Sequence, residues 1–154
     1  GNNRREETWH AMEEILKAGK AKAIGVSNYT VEHLEEMQTY AHTMPEVNQI
    51  EFHPFWFRKE LMNYCHERNI AVEDYSPLAR AKNLSDPVIG AIAQAHGKTA
   101  AQVMLRWAVQ HGNSVIPKSI HKDRIRENID IFDFELSDDE MEQLNNLNEN
   151  RSAL

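Results

Sequence analysis

This chain has one cysteine, Cys65, among 154 residues. No internal disulfide framework can form, and a reducing compartment is the expectation. No apolar run approaches the roughly 20 residues that a membrane-spanning helix needs. The opening stretch Gly1-Asn2-Asn3-Arg4-Arg5-Glu6-Glu7 has charges with no apolar segment behind them, unlike a secretory leader. A soluble cytoplasmic protein that engages no membrane is therefore expected. Positive charge is also scarce: 17 Lys and Arg stand against 24 Asp and Glu, for a formal net charge of −7. That balance argues against nucleic acid as a partner for the whole chain, while leaving room for a local cationic pocket that takes a small anion.

What is present is a regular alternation. Hydrophobic residues make up 41% of the chain, enough for a core, and the length suits one domain or part of a larger one. Trp9, Met12, Ile15 and Leu16 recur at helical spacing before a stop at Gly19. Residues 21–26 read as a buried strand. Val31, Leu34, Met37 and Ala41 form a helix face, and residues 47–52 a second strand. Leu61, Met62 and Cys65 mark a helix that Asn69 ends in a left-handed turn, and residues 70–75 form a third strand. Asp86-Pro87 caps a helix closed by Gly97, and Thr99 with Gln102 forms a capping box for another, closed by Gly112. Residues 115–118 read as the fourth strand and 122–131 as a helix, and Ser137 with Glu140 opens the last one.

Four strands alternating with about six helices through short connections predict an α/β fold of four parallel βα units. No linker or low-complexity run interrupts them. Four units are half of an eight-stranded (β/α) barrel, which takes about 250 residues. A flavodoxin-like open sheet is the structural rival. It would want a glycine-rich phosphate loop after its first strand, where this chain has Ser27-Asn28-Tyr29.

Polar residues collect at the strand ends: Ser27 and Asn28, Gln49 and Glu51, Tyr75 and Ser76, Lys118 and Ser119. In a (β/α) barrel that is where function gathers. One such pair is ordinary strand-to-loop polarity, but four in succession form a ring. After the fourth strand, Lys118-Ser119 runs into a helix bearing Arg124, Glu127 and Asn128. Two cations, helix N-terminal amides and polar side chains suit a phosphomonoester on an adenosine. Taken singly, Lys118 and Arg124 would pass for solvated surface charges.

The segments GVSNY, NQIEFHP, YSPLA and VIPKSIHKDRIREN, in that order, resemble the C-terminal half of the aldo-keto reductases, and FDFEL before the last helix extends the likeness. The resemblance covers nearly the whole chain and implies half of a TIM (β/α)8 barrel that binds NADP(H). Ser27, Asn28 and Gln49 would then hold the nicotinamide carboxamide, and Tyr75 would stack on the ring. Ser76 and Leu78 would lie along the pyrophosphate and ribose. Lys118, Ser119 and Arg124 would grip the 2′-phosphate, favouring NADP(H) over NAD(H), with Glu127 and Asn128 facing the adenine. The loop Ala81 to Asp86 and the AQVMLRWAVQHGNSVIPKS stretch look like the microbial diketogluconate or glyoxal reductase type, which acts on small sugars, dicarbonyls and aldehydes.

Two positions depart from the pattern. Ala79-Arg80 stands where the family more often has glycine and a small residue, and Asp74 precedes the stacking Tyr75. The family's catalytic tyrosine, lysine, aspartate and histidine belong to early strands that these 154 residues do not include, so no catalytic residue is assigned. The expectation is the cofactor-binding half of a carbonyl reductase, catalytic once an N-terminal half completes it. The alternative is a non-catalytic half-barrel that binds cofactor or self-associates through open sheet edges. No metal ligand is assigned: the eight histidines lack zinc spacing with cysteine, and Glu51 with His53 would make only a pair. Phe55-Trp56-Phe57 reads as an exposed aromatic run, and Cys65 as core.

Overall fold

The computed structural model describes residues 2–154, with side chains from Arg4 onward. Gly1 and the side chains of Asn2 and Asn3 lie outside the described residues. The order is α1 (Asn2–Lys17), β1 (Gly25–Ser27), α2 (Val31–Met37), β2 (Val47–Glu51), α3 (Lys59–Glu67), β3 (Ala71–Tyr75), a 3-10 turn (Ala79–Ala81), α4 (Pro87–His96), α5 (Ala100–Gln110), β4 (Ser114–Val115), α6 (Lys122–Ile129) and α7 (Asp138–Asn145). The described residues thus hold seven α-helices where about six were expected. The four strands lie in one open sheet in the order β1-β2-β3-β4. Pairing is parallel between β1 and β2 and between β3 and β4. Two compact units result: residues 1–50 with 59–72, and residues 51–58 with 73–154.

The local signals act as their chemistry requires. The Asp86 carboxylate accepts from the Val88 and Ile89 N–H groups, and Pro87 takes the first helical position of α4. Reciprocal capping boxes open α5 at Thr99 and Gln102 and α7 at Ser137 and Glu140. A third, Thr30 with His33, opens α2 and was not read from sequence. Asn69 and Gly97 take the expected left-handed conformation, at φ of 57° and 63°.

Several boundaries differ from expectation, three of them for a plain physical reason. The first strand covers 25–27 rather than 21–26, because its parallel partner begins only at Val47, opposite Gly25. The fourth stops at Val115 rather than 118: Ile116 still donates to Asp74 O at 3.2 Å, but Pro117 has no N–H to continue the ladder. The helix α2 ends at Met37, so Ala41 lies beyond it and donates its N–H to Met37 O at 2.8 Å.

In the first unit Trp9, Ile24 and Met37 form a buried cluster, with Met12, Leu16, Val26 and Met44 packed around it. Gly25 is required by a close approach: a Cβ there would stand 2.3 Å from Val47 Cγ1 and 2.7 Å from Val47 O. Gly25→Ala is expected to force β1 off β2 and cost about 1–3 kcal/mol, read as a lowered melting midpoint. An unchanged midpoint would show that the pairing yields to a methyl group. The second unit is centred on Trp107, stacked on Phe52 at 5.0 Å between ring centroids and edge-on to Phe57 at 5.3 Å. Phe55 and Phe57 are buried, so the aromatic run at 55–57 belongs largely to the core and is not exposed as expected.

Candidate cofactor site

In the first unit the ends of β1 and β2 bring Ser27, Asn28 and Gln49 together. Ser27 stands opposite Gln49 in the register, its hydroxyl donating to Gln49 O at 3.0 Å, and the Asn28 N–H donates to the same carbonyl at 2.9 Å. Asn28 turns the chain through the left-handed region at φ 58°, which asparagine tolerates. Sequence reasoning missed the residue that fixes this turn. Asn48 is fully buried, donates to Tyr29 O at 3.0 Å and accepts from Tyr29 N at 3.3 Å. The signal was available in principle: a polar residue on the inward face of a buried strand needs partners.

In the second unit the end of β3 leads through Tyr75 and Ser76 into an unusual turn. Ser76, Ala79, Arg80 and Ala81 all have positive φ, of 50°, 47°, 53° and 61°. Left-handed conformation costs a residue with a Cβ about 1–2 kcal/mol, which gives the departure from glycine at Ala79-Arg80 a physical meaning. The turn forms one wall of a cleft of about 340 Å³, lined by Leu78, Arg80, Ala81, Leu84, Ala101, Lys118, Ser119, Arg124, Glu127 and Asn128. Six residues assigned from sequence therefore share one concavity: Leu78, Lys118, Ser119, Arg124, Glu127 and Asn128.

The charges of this cleft are unbalanced. Arg80, Lys118 and Arg124 line it, and none forms an ion pair among the described residues. Its carboxylate, Glu127, is held on the wall by the Thr99 hydroxyl, which donates to Oε1 at 2.6 Å. Ser119 Oγ accepts from the His121 N–H at 3.1 Å, at the N-terminus of α6. Unpaired cations grouped around a concavity at a helix N-terminus form a site for an anion carrying more than one charge. Asp74, one residue before Tyr75, is fully buried, and its carboxyl is pushed up to about 9 by that burial, which outweighs the Asn113 amide donating to both its oxygens. A neutral acid there places no negative charge behind the strand end.

The model of the Aldo/keto reductase family matches residues 1–149. The chain belongs to the aldo-keto reductase family. Glyoxal reductase of Bacillus subtilis is 49% identical over 148 residues, covering 96% of this chain and 54% of that protein. An aldo-keto reductase from a Medee basin deep-sea metagenome superposes with a TM-score of 0.95 at 38% identity, over 99% of this chain and 57% of that one. A Bombyx mori aldo-keto reductase solved in complex with NADP superposes with a TM-score of 0.91 at 33% identity, over 97% of this chain and 52% of its own. This aldo-keto reductase chain spans about half the length of the curated relatives it matches, and its four βα units are those of the C-terminal half of the barrel. The flavodoxin-like alternative falls. Among the described residues no helix is long and apolar enough to cross a membrane.

Elsewhere in the second unit, Glu51 and His53 do form a pair, His53 Nε2 donating to Glu51 Oε1 at 3.2 Å. The pair serves a structural end. Glu51 also accepts from the Ser152 hydroxyl at 2.5 Å and the Ala153 N–H at 2.7 Å, fastening that segment down. Burial alone would raise the Glu51 carboxyl, but these hydrogen bonds together hold it below the usual range, while burial pushes the His53 imidazole down. Cys65 is fully buried, as expected for core.

Proposed function

We propose that this chain is the NADP(H)-binding half of an aldo-keto reductase, an oxidoreductase domain that reduces small aldehydes and ketones by hydride transfer once an N-terminal half completes it. The observation that carries the reading is the cleft in which Lys118, Ser119, Arg124, Glu127 and Asn128 converge with the cations unpaired. A phosphomonoester dianion fits Lys118 and Arg124 better than a ribose hydroxyl does, which favours NADP(H) over NAD(H). Glu127 and Asn128 would hold the adenine, and Ser76 with Leu78 the pyrophosphate and ribose. Tyr75 would stack on the nicotinamide, and Ser27, Asn28 and Gln49 would fix its carboxamide and so its reactive face. The bound cofactor supplies the hydride; these side chains bind, orient and select it. Small dicarbonyls and aldehydes are the proposed substrates, by likeness to glyoxal reductase.

A second feature supports the need for a complement. Ile116, Ile125, Ile129 and Phe132 are exposed and line an apolar groove of about 850 Å³ beside β4. An open strand next to exposed apolar side chains calls for cover. The proposed cover is the N-terminal half, with a second copy of the chain as the substitute when that half is absent.

The test is a thermal melt of the chain with and without saturating NADPH, NADH serving as control. A ligand at a hundredfold excess over its dissociation constant adds about 2.7 kcal/mol, so a clear rise in midpoint with NADPH and little with NADH is expected. A cooperative melt that NADPH leaves unmoved would refute cofactor binding by this half alone.

A further inference from the structure

Within the first unit three side chains converge, none of them a residue assigned to the cofactor. His10 and Glu13 are three residues apart on one face of α1, and His42 lies in the segment between α2 and β2. His10 Nδ1 is 3.0 Å from Glu13 Oε2, and His42 Nδ1 is 3.2 Å from that same oxygen. One ligand atom from each residue falls within 4.8 Å of the other two. The imidazoles present the same ring nitrogen to one carboxylate oxygen, their centroids 5.4 Å apart.

The arrangement is held from behind. Glu13 Oε1 accepts from the His42 N–H and the Thr43 N–H, both at 2.7 Å, so the carboxylate cannot rotate away and the backbone of His42 is carried to it. On the far side of the His10 ring, Nε2 is 3.8 Å from Glu6 Oε1. With an ion bound, a carboxylate there would favour the His10 proton on Nε2 and leave the Nδ1 lone pair for the metal, as the outer partner of a metal-bound histidine does. His42 is open to water, its side chain 83% exposed, so an ion can enter and keep water ligands.

We propose that His10, Glu13 and His42 form a binding site for a divalent transition-metal ion of the Zn2+ type. Two imidazoles and one carboxylate suit zinc, nickel, cobalt or copper and disfavour calcium and magnesium, which prefer all-oxygen sets. The ion takes the place of the two Nδ1 protons that otherwise bridge the rings to Glu13, each ring keeping its proton on Nε2 instead. It ties α1 to the segment before β2, so that binding acts as a staple across some 30 residues of chain. The sequence gives a weak signal for this: His10 and Glu13 at helical spacing are visible, but the third ligand arrives only through the fold.

The test is calorimetric titration of the whole chain with Zn2+ alone, in metal-free buffer, paired with the imidazole nitrogen resonances of the histidines. One equivalent should bind, the melting midpoint should rise, and the rings of His10 and His42 should shift while the other histidines stay. His42→Ala removes an exposed side chain and leaves the backbone bond to Glu13, so its metal-free melt should match the parent while Zn2+ affinity falls by at least about tenfold. Glu13→Gln should weaken binding similarly. Failure to bind one equivalent, or binding that survives His42→Ala and moves other histidines, would overturn the proposal.

Discussion

Asp74→Asn is expected to stabilise the chain at pH 8 by several kcal/mol, at most about 6, and to flatten its loss of stability with rising pH. Asp74 is fully buried in β3, both its oxygens accept from the Asn113 amide at 3.1 Å, and Glu73 beside it adds like-charge repulsion. Burial therefore pushes the carboxyl up to about 9 in the folded state, whereas in the unfolded chain it titrates near its ordinary 3.8. Between those values the folded state holds a proton that the unfolded state has released. Stability from this group is fully present below about pH 4 and falls as pH rises through 9, at about 1.4 kcal/mol per unit. Asparagine keeps the shape and a hydrogen bond to Asn113 without a charge to suppress. Denaturant unfolding of both proteins at pH 7, 8 and 9 isolates the effect. Glu13, Glu51 and Glu140, whose carboxyls are lowered, lose their contribution in acid instead, as does buried His53 below its ordinary value. Parallel slopes for parent and variant across that window would sink the assignment.

Replacing both Lys118 and Arg124 by alanine is expected to weaken NADPH binding by about 30- to 150-fold, while NADH changes less than about threefold. The arithmetic rests on about 1–1.5 kcal/mol for each charge-assisted contact to a phosphate, discounted for solvent at these open positions. Neither cation is committed to an acid in the described residues, so their removal strands no buried partner, and the melt without cofactor should stay close to that of the parent. Fluorescence titration with the two cofactors measures the split. Equal weakening toward NADH and NADPH would mean that these cations serve the pyrophosphate or the general field of the cleft rather than the 2′-phosphate.

The parts of this fold readable from sequence were those set by short-range chemistry. Asp86-Pro87, the Thr99 and Ser137 capping boxes, and the left-handed Asn69 and Gly97 all act within one helical turn, so their residues declare them. The alternation of strands and helices, and the polar residues gathered at strand ends, were legible for the same reason. Strand limits were less so, since β1 can start only where β2 offers a partner and β4 must stop at Pro117. Within the site, Leu78, Lys118 and Arg124, named from the motif, line one cleft. What escaped was nonlocal: Asn48 pinning Tyr29, Asn113 meeting Asp74, Ser152 reaching Glu51. Each joins residues whose separation along the chain leaves no local signature, and each satisfies a buried polar group whose partner only the fold can name.

The turn from Ala79 to Ala81 has a consequence for how this chain can evolve. Its three residues occupy a region of backbone space that admits glycine freely and other residues at a cost. Substitution here is therefore asymmetric: a change to glycine relieves crowding, while a β-branched residue adds to it. Codons for alanine and for many arginines lie one base from glycine, so lineages can enter and leave the glycine state readily. This wall of the cleft is a place where a side chain such as that of Arg80 can be acquired, tried against a ligand, and given up without rebuilding the scaffold.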